Sequence, residues 1–242
     1  MGRDGRIALI LGGLAFLVSL VLVVVVLVQG ASDPEEEASG EGSGKVGQDQ
    51  PLAPTGFQRQ ASLPVFAPIA RRAAGEQPIS TEELFDDEVK KLTFKGRELR
   101  LRETKADPDC AAAVWGNSLR EELGARGCTR VLRASYSDPD DRYLGQFAVL
   151  DVADVRSADS LLNAFDPNRS TGFVLPLTAK TEGFGKGHTE ATAQAMGHYV
   201  VIAWVGRADG KPDDTLISQN VLLMNASEAI YERVQRAKGS GG

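Results

Sequence analysis

Histidine and cysteine are almost missing from these 242 residues: the chain holds only His188, His198, Cys110 and Cys128. Two histidines outside any H-E-x-x-H spacing, and cysteines far from them in the chain, leave no zinc-ligand cluster, so no metal and no cofactor is expected. The chain also lacks G-x-S-x-G and S-x-x-K, which removes the signatures of Ser-His-Asp hydrolases and of penicillin-binding or β-lactamase-type enzymes. Aromatic residues make up 6% of the chain, the formal net charge is −6, and no basic stretch is interleaved with aromatics. A nucleic-acid partner is therefore not expected.

Long apolar runs are equally scarce, since one stands alone. Residues 7–28 contain no charged side chain, and 22 residues at about 1.5 Å each make a helix of roughly 33 Å, enough to cross a hydrocarbon core of about 30 Å. A secretory signal has a shorter apolar region, although Gln29, Gly30 and Ala31 leave cleavage open as an alternative. Arg3 and Arg6 precede the run, and Asp33, Glu35, Glu36 and Glu37 follow it. The basic flank stays inside. The expected order is thus a cytoplasmic end (1–6), a transmembrane helix (7–28) in the cytoplasmic membrane, and an outward remainder.

Behind the anchor, residues 29–79 are rich in Asp, Glu, Gly, Ser, Gln, Pro and Ala without sustained periodicity. Such a tract buries too little apolar area to offset chain entropy, and reads as a disordered linker with an end-to-end distance of roughly 40 Å. The island from Leu63 to Ile69 interrupts it and reads as incidental. The folded domain is expected at 80–238.

Within that domain Ser80 and Glu83 fit a capping box before a short apolar stripe. Lys95-Gly96 suggests a tight turn into a strand over 97–103, a helix follows within 110–126, and strands at 129–136 and 143–150 flank an acidic turn. Asp154 is a candidate cap for a helix over 155–165. A hairpin around Gly197 contains the nearly all-apolar run 199–205, and helices close the chain from about 213. The succession β-α-β-β-α-β points to an α+β domain, a ferredoxin-like antiparallel-sheet sandwich with extra C-terminal helices.

Cys110 and Cys128 face an oxidising compartment in this arrangement, which favours a disulfide. One unbroken helix between them would hold the two ends more than 20 Å apart, against about 7 Å tolerated between bridged α-carbons. A bridge therefore requires residues 111–116 to fold back and the helix proper to start near Asn117. Two buried thiols are the alternative.

Three weaker features remain. The run from Gly183 to His188 has the composition of a phosphate-cradling loop, with Lys186 and His188 as candidate ligand contacts, but its spacing fits neither G-x-G-x-x-G nor the Walker loop. Asp138, Asp140 and Asp141 lack the glycine and distal glutamate of an EF-hand. His188 with Glu190 offers an acid/base pair, or an ordinary solvated one.

The stretches from Cys110 to Leu119 and from Glu122 to Tyr136 resemble uncharacterised actinobacterial single-pass membrane proteins with an extracytoplasmic α+β domain. The resemblance implies location and architecture and supplies no catalytic residues. The expected function is a membrane-anchored extracytoplasmic binding or interaction module without catalysis. Its partners are the lipid bilayer, through residues 7–28, and a membrane-protein or cell-envelope component. The alternatives are an accessory subunit of a membrane protein complex and a cell-envelope enzyme of unfamiliar type.

Overall fold

The computed structural model describes residues 52–169, 171–178 and 184–239. The expected cytoplasmic end (1–6), transmembrane segment (7–28) and first part of the linker (29–51) lie outside them. Among the described residues no helix is long and apolar enough to cross a membrane.

In chain order the elements are β1 (Gly56–Gln60), a 3-10 helix (Pro64–Ile69), α1 (Thr81–Leu84), β2 (Lys91–Phe94), β3 (Arg97–Asp107), a second 3-10 helix (Cys110–Ala113), β4 (Val114–Trp115), α2 (Asn117–Ala125), β5 (Arg130–Ser137), β6 (Tyr143–Asp151), α3 (Val155–Ala164), β7 (Phe173–Val174), β8 (Thr189–Met196), β9 (Tyr199–Arg207), α4 (Leu216–Met224), a third 3-10 turn (Asn225–Ser227) and α5 (Glu228–Gly239). Local chemistry explains several boundaries. Asp154 caps α3 by accepting from the Ser157 amide at 2.8 Å. Ser80 caps α1 by accepting from the Glu83 amide at 3.2 Å. The reciprocal half of that capping box is not made, because the Glu83 carboxylate turns to Arg233.

The fold is α+β, built on a seven-stranded sheet in the order β1-β8-β9-β6-β5-β3-β2. Only β1–β8 is parallel; the other ladders are antiparallel. The apolar run 199–205 lies inside β9, buried on both faces between β8 and β6. One face carries Phe66, Leu84, Phe147, Val201 and Ile230, and the other Leu119, Leu161, Phe173, Ile202 and Trp204. The helices α4 and α5 serve the first, α2 and α3 the second.

This strand order corrects the ferredoxin-like expectation. That plan needs the strand before the first helix to lie between the last two strands, whereas here β3, β5, β6 and β9 neighbour one another in chain order. The disulfide supplies the reason. Cys110 and Cys128 are bridged, with their α-carbons 6.3 Å apart, so the excursion containing α2 begins and ends at one place. Asp107 at the end of β3 pairs with Val131 at the start of β5. A connection that returns to its origin makes antiparallel neighbours and cannot act as a crossover.

The fold-back demanded by the bridge is observed. The chain turns through Cys110–Ala113, pairs β4 with β7, and reverses at Gly116 (φ 94°) before α2 starts at Asn117. A Cβ at Gly116 would stand 2.1 Å from the Thr171 carbonyl oxygen, so only glycine fits.

The domain begins before Ser80, which corrects the boundary expected at 79/80. Residues 52–79 belong to it. β1 adds to β8 with Phe57 opposite Ala191, and the supposedly incidental island is the first 3-10 helix, which buries Phe66 completely. Ile69 and Ile79 are buried with it. The backbone of this strap finds partners on distant elements: the His198 amide donates to Ile69 O, the Val155 amide to Ala70 O, and the Arg72 amide to Ala153 O. A segment too sparse in apolar residues to fold alone is ordered here by a surface formed elsewhere.

Two charged clasps fasten the strap. Arg72 pairs at 2.8 Å with Asp151, a residue 1% exposed. Arg233 of α5, itself buried, grips Glu83 through both carboxylate oxygens and also reaches Glu76 at 2.8 Å, Gln77 O and the Tyr199 hydroxyl. Burial pushes the Glu83 carboxyl up, but Arg233 and Arg236 outweigh it and hold it below its ordinary value.

Three buried apolar side chains at about 1.5–3 kcal/mol each are comparable to the whole stability of a domain, about 5–15 kcal/mol. A chain beginning at Leu52 is expected to fold cooperatively, while one beginning at Ser80 is expected to give no unfolding transition by circular dichroism. A cooperative transition from the shorter chain would refute the strap's part in the core. A separation of 18 residues predicts that the bridge contributes about 3 kcal/mol. Replacing both cysteines by alanine should lower the melting temperature by roughly 10 °C, and an unchanged melting temperature would count against that contribution.

Candidate functional site

The loop holding the sequence candidates Lys186 and His188 is pinned on both sides. Thr55 Oγ1 donates to Gly187 O and accepts from the Thr189 amide at 3.1 Å, while the His188 amide donates to Gly210 O at 3.0 Å. Gly187 and Gly210 both have positive φ, and a Cβ at Gly210 would fall 1.7 Å from Lys186 O. These glycines let two loops approach closely, and the His188 amide is spent on that contact. Lys186 is exposed, and among the described residues it makes no ion pair. His188 Nε2 lies 2.8 Å from Glu190 Oε1, and both side chains are partly exposed. The geometry brings His188 and Glu190 together and leaves Lys186 apart.

The acidic turn is occupied by its own hairpin. Asp138 Oδ1 accepts from the amides of Arg142 and Tyr143, and Asp141 accepts from Ser137 and Arg102. Among the described residues no group of three or more His, Cys, Asp or Glu side chains is placed to hold a metal ion. Cys110 and Cys128 are joined and serve the backbone geometry described above.

His198 carries a feature invisible in the sequence. Its ring is fully buried and tilts against Tyr199 with centroids 4.0 Å apart. Nδ1 lies 2.8 Å from Ile69 O and must carry the proton, since a carbonyl only accepts. Nε2 stands 3.8 Å from Asp151, beyond hydrogen-bonding distance. With Arg72 on the same carboxylate, the group closes the strap against the β8–β9 turn.

Between β5, β6, β9 and β7 lies a cavity lined by Arg133, Gln146, Ala148, Val174, Ile202 and Trp204, with a volume of about 10 Å³. That is room for about one water, against about 300 Å³ or more for an organic ligand.

The surface offers more. Helix α4 buries Leu216, Leu222 and Leu223 as an ordinary surface helix does, but two polar residues go in with them. Its polar Gln219 and Asn220 are buried, and Asn220 donates to Ala203 O and Glu190 O. Its outward stripe is apolar: Ile217 is 49% exposed, with Val221 and Met224 partly exposed at the i+4 and i+7 positions. The start of the helix is fixed by Asp213, which accepts from the Thr215 amide, the Tyr143 hydroxyl and Arg207. The hydroxyls of Thr215 and Tyr143 and the Arg207 guanidinium hold that carboxyl well below the usual range.

Two charged features stand near the stripe. One is the β2–β3 hairpin, against which α4 packs. Positive φ at Lys95 (48°) and Gly96 (77°) makes its tight turn. Lys91 and Arg100 share the single carboxylate of Glu98, and among the described residues Lys95 and Arg97 make no ion pair. Lys95 instead lies over the Phe94 ring. The other feature gathers Asp86 and Glu88 near Glu228 and Glu232 at the start of α5. Burial pushes the Glu228 carboxyl above its ordinary value, and the charges of Glu88, Glu232 and Asp86 push the same way.

No protein-family model, curated protein or solved structure matches this chain.

A carboxyl whose folded-state pKa is raised burdens the fold only while it is ionised, so this cost is absent below its ordinary value of 4.5 and grows as pH rises through the folded value. Glu228→Gln should therefore raise the melting temperature by about 1–3 °C at pH 7 and leave it unchanged near pH 3.5. A rise of equal size at both pH values would exclude charge as its source.

Proposed function

We propose that this chain is a membrane-anchored, outward-facing protein-interaction module that carries out no catalysis. Residues 7–28 span the cytoplasmic membrane, 1–6 remain inside, and 29–51 tether the domain. The observation that carries the reading is the exposed apolar edge of α4, centred on Ile217. A helix that buries Gln219 and Asn220 while exposing Ile217 presents apolar area that a solvated surface does not favour. An accessory subunit of a membrane complex is one form of this module. The enzymatic alternative rests on the His188–Glu190 contact.

A photo-reactive amino acid placed at Ile217 of the full chain, in its native membrane, should give protein adducts several-fold above those from the same group at exposed Glu121 on α2. Equal yields at both positions would overturn α4 as the docking face. Loss of cell-envelope activity in a folded His188→Ala chain would favour the enzyme instead.

A further inference from the structure

A docking face used by two copies of one chain about a two-fold axis must be complementary to itself, because each patch meets the same patch rotated. The α4 surface meets that condition in two ways. Its centre is apolar, with Ile217 and Val221 outermost, and apolar stripes need no distinction between partners. Its surroundings carry both signs of charge. The β2–β3 hairpin packs against α4, with Lys95 and Arg97 unpaired among the described residues and Lys91 and Arg100 competing for Glu98. Just beyond the end of α4, Glu228 feels the charges of Glu88, Glu232 and Asp86, and among the described residues none of Glu228, Glu88 and Asp86 has an ion-pair partner. Lys90 is engaged by Asp87, and Arg236 by Glu83 and Glu232.

Resting on the reading of α4 as a docking face, we infer that its partner is a second copy of this chain, packed about a two-fold axis. The basic hairpin of each copy meets the acidic cluster of the other. The arrangement accounts for three otherwise separate facts: an apolar stripe on the outside of a helix, cations without carboxylates, and carboxylates crowded together at a helix start. A partner of one dominant charge would satisfy only one cluster and repel the other.

The experiment is sedimentation velocity on the full chain in density-matched detergent over a range of concentrations. The unaltered chain is expected to dimerise. The pair Lys95→Glu with Arg97→Glu sets acid against acid, and the pair Glu88→Lys with Glu228→Lys sets base against base. Each should weaken self-association by at least about tenfold. Mixing the two charge-reversed chains should restore dimers, because each cluster then faces its complement. That recovery also shows that both variants are folded. Ile217→Lys should give monomers with an unchanged far-ultraviolet circular dichroism spectrum. A monomeric unaltered chain at every concentration, a dimer indifferent to these substitutions, or no recovery on mixing would overturn the two-fold pairing. Adducts from position 217 to a different protein, together with a monomeric chain, would refute the second copy and leave α4 as a docking face. No excess of adducts at 217 would remove the docking face itself.

Discussion

The curl of the seven-stranded sheet around α4 is the constraint on which the other packing choices depend. The helix packs against both β8 and β2, which stand five strand spacings apart in the sheet order. A flat sheet would hold those strands about 24 Å from one another, too far for one helix about 10–12 Å across to touch both. The sheet therefore wraps, and its concave side buries most of α4. That is how Gln219 and Asn220 come to lie inside, where Asn220 takes the backbone carbonyls of Ala203 and Glu190. The same curl brings the β2–β3 hairpin alongside α4, next to the exposed stripe.

The strap from residue 61 to 79 runs past the β8–β9 turn, the start of α3 and the start of β5. Its hold is mixed in kind. Phe66, Ile69 and Ile79 contribute apolar burial, while Arg72–Asp151 and Arg233 with Glu76 and Glu83 contribute directional contacts. Buried ion pairs add little net stability over apolar replacements, yet breaking one by removing a single partner costs about 3–5 kcal/mol. Asp151 shows why: Arg72 is its ion-pair partner, and the nearby His198 Nε2 is too distant for a hydrogen bond. The clasps thus fix where the strap lies more than they deepen the energy well. Since the chain upstream enters through β1, the strap also ties the point of entry to the core.

Much of the local structure was legible. Asp154 and Ser80 cap where side-chain chemistry places them, Lys95-Gly96 turns, and the apolar run within β9 occupies a strand buried on both faces. The disulfide was favoured by the outward compartment, with two buried thiols as the alternative; helix geometry added that a bridge would require residues 111–116 to fold back, and the chain does so at Gly116. The strand order was not legible, since β-α-β-β-α-β is compatible with both a crossover and a connection that returns to its start. The first 3-10 helix was missed because Leu63–Ile69 has no periodicity of its own and gains its stability from the sheet. The outward face of α4 could not be assigned either, for a helix with Leu, Ile, Val and Met around its circumference marks no side as inner.

What the sequence determined by itself is everything that depends on neighbours within one turn or one bridge: the length and apolarity of 7–28, the caps and turns, the buried strand, the scarcity of metal ligands, and the return path that a bridge between Cys110 and Cys128 would require. Only the tertiary structure decided which strands lie side by side, that the domain includes residues 52–79, and which face of α4 meets solvent. The division has one physical cause. Hydrogen-bond geometry and rotamer preference act over a few residues and leave a readable pattern, whereas apolar burial is non-directional and takes its partner from whatever surface the rest of the chain has built.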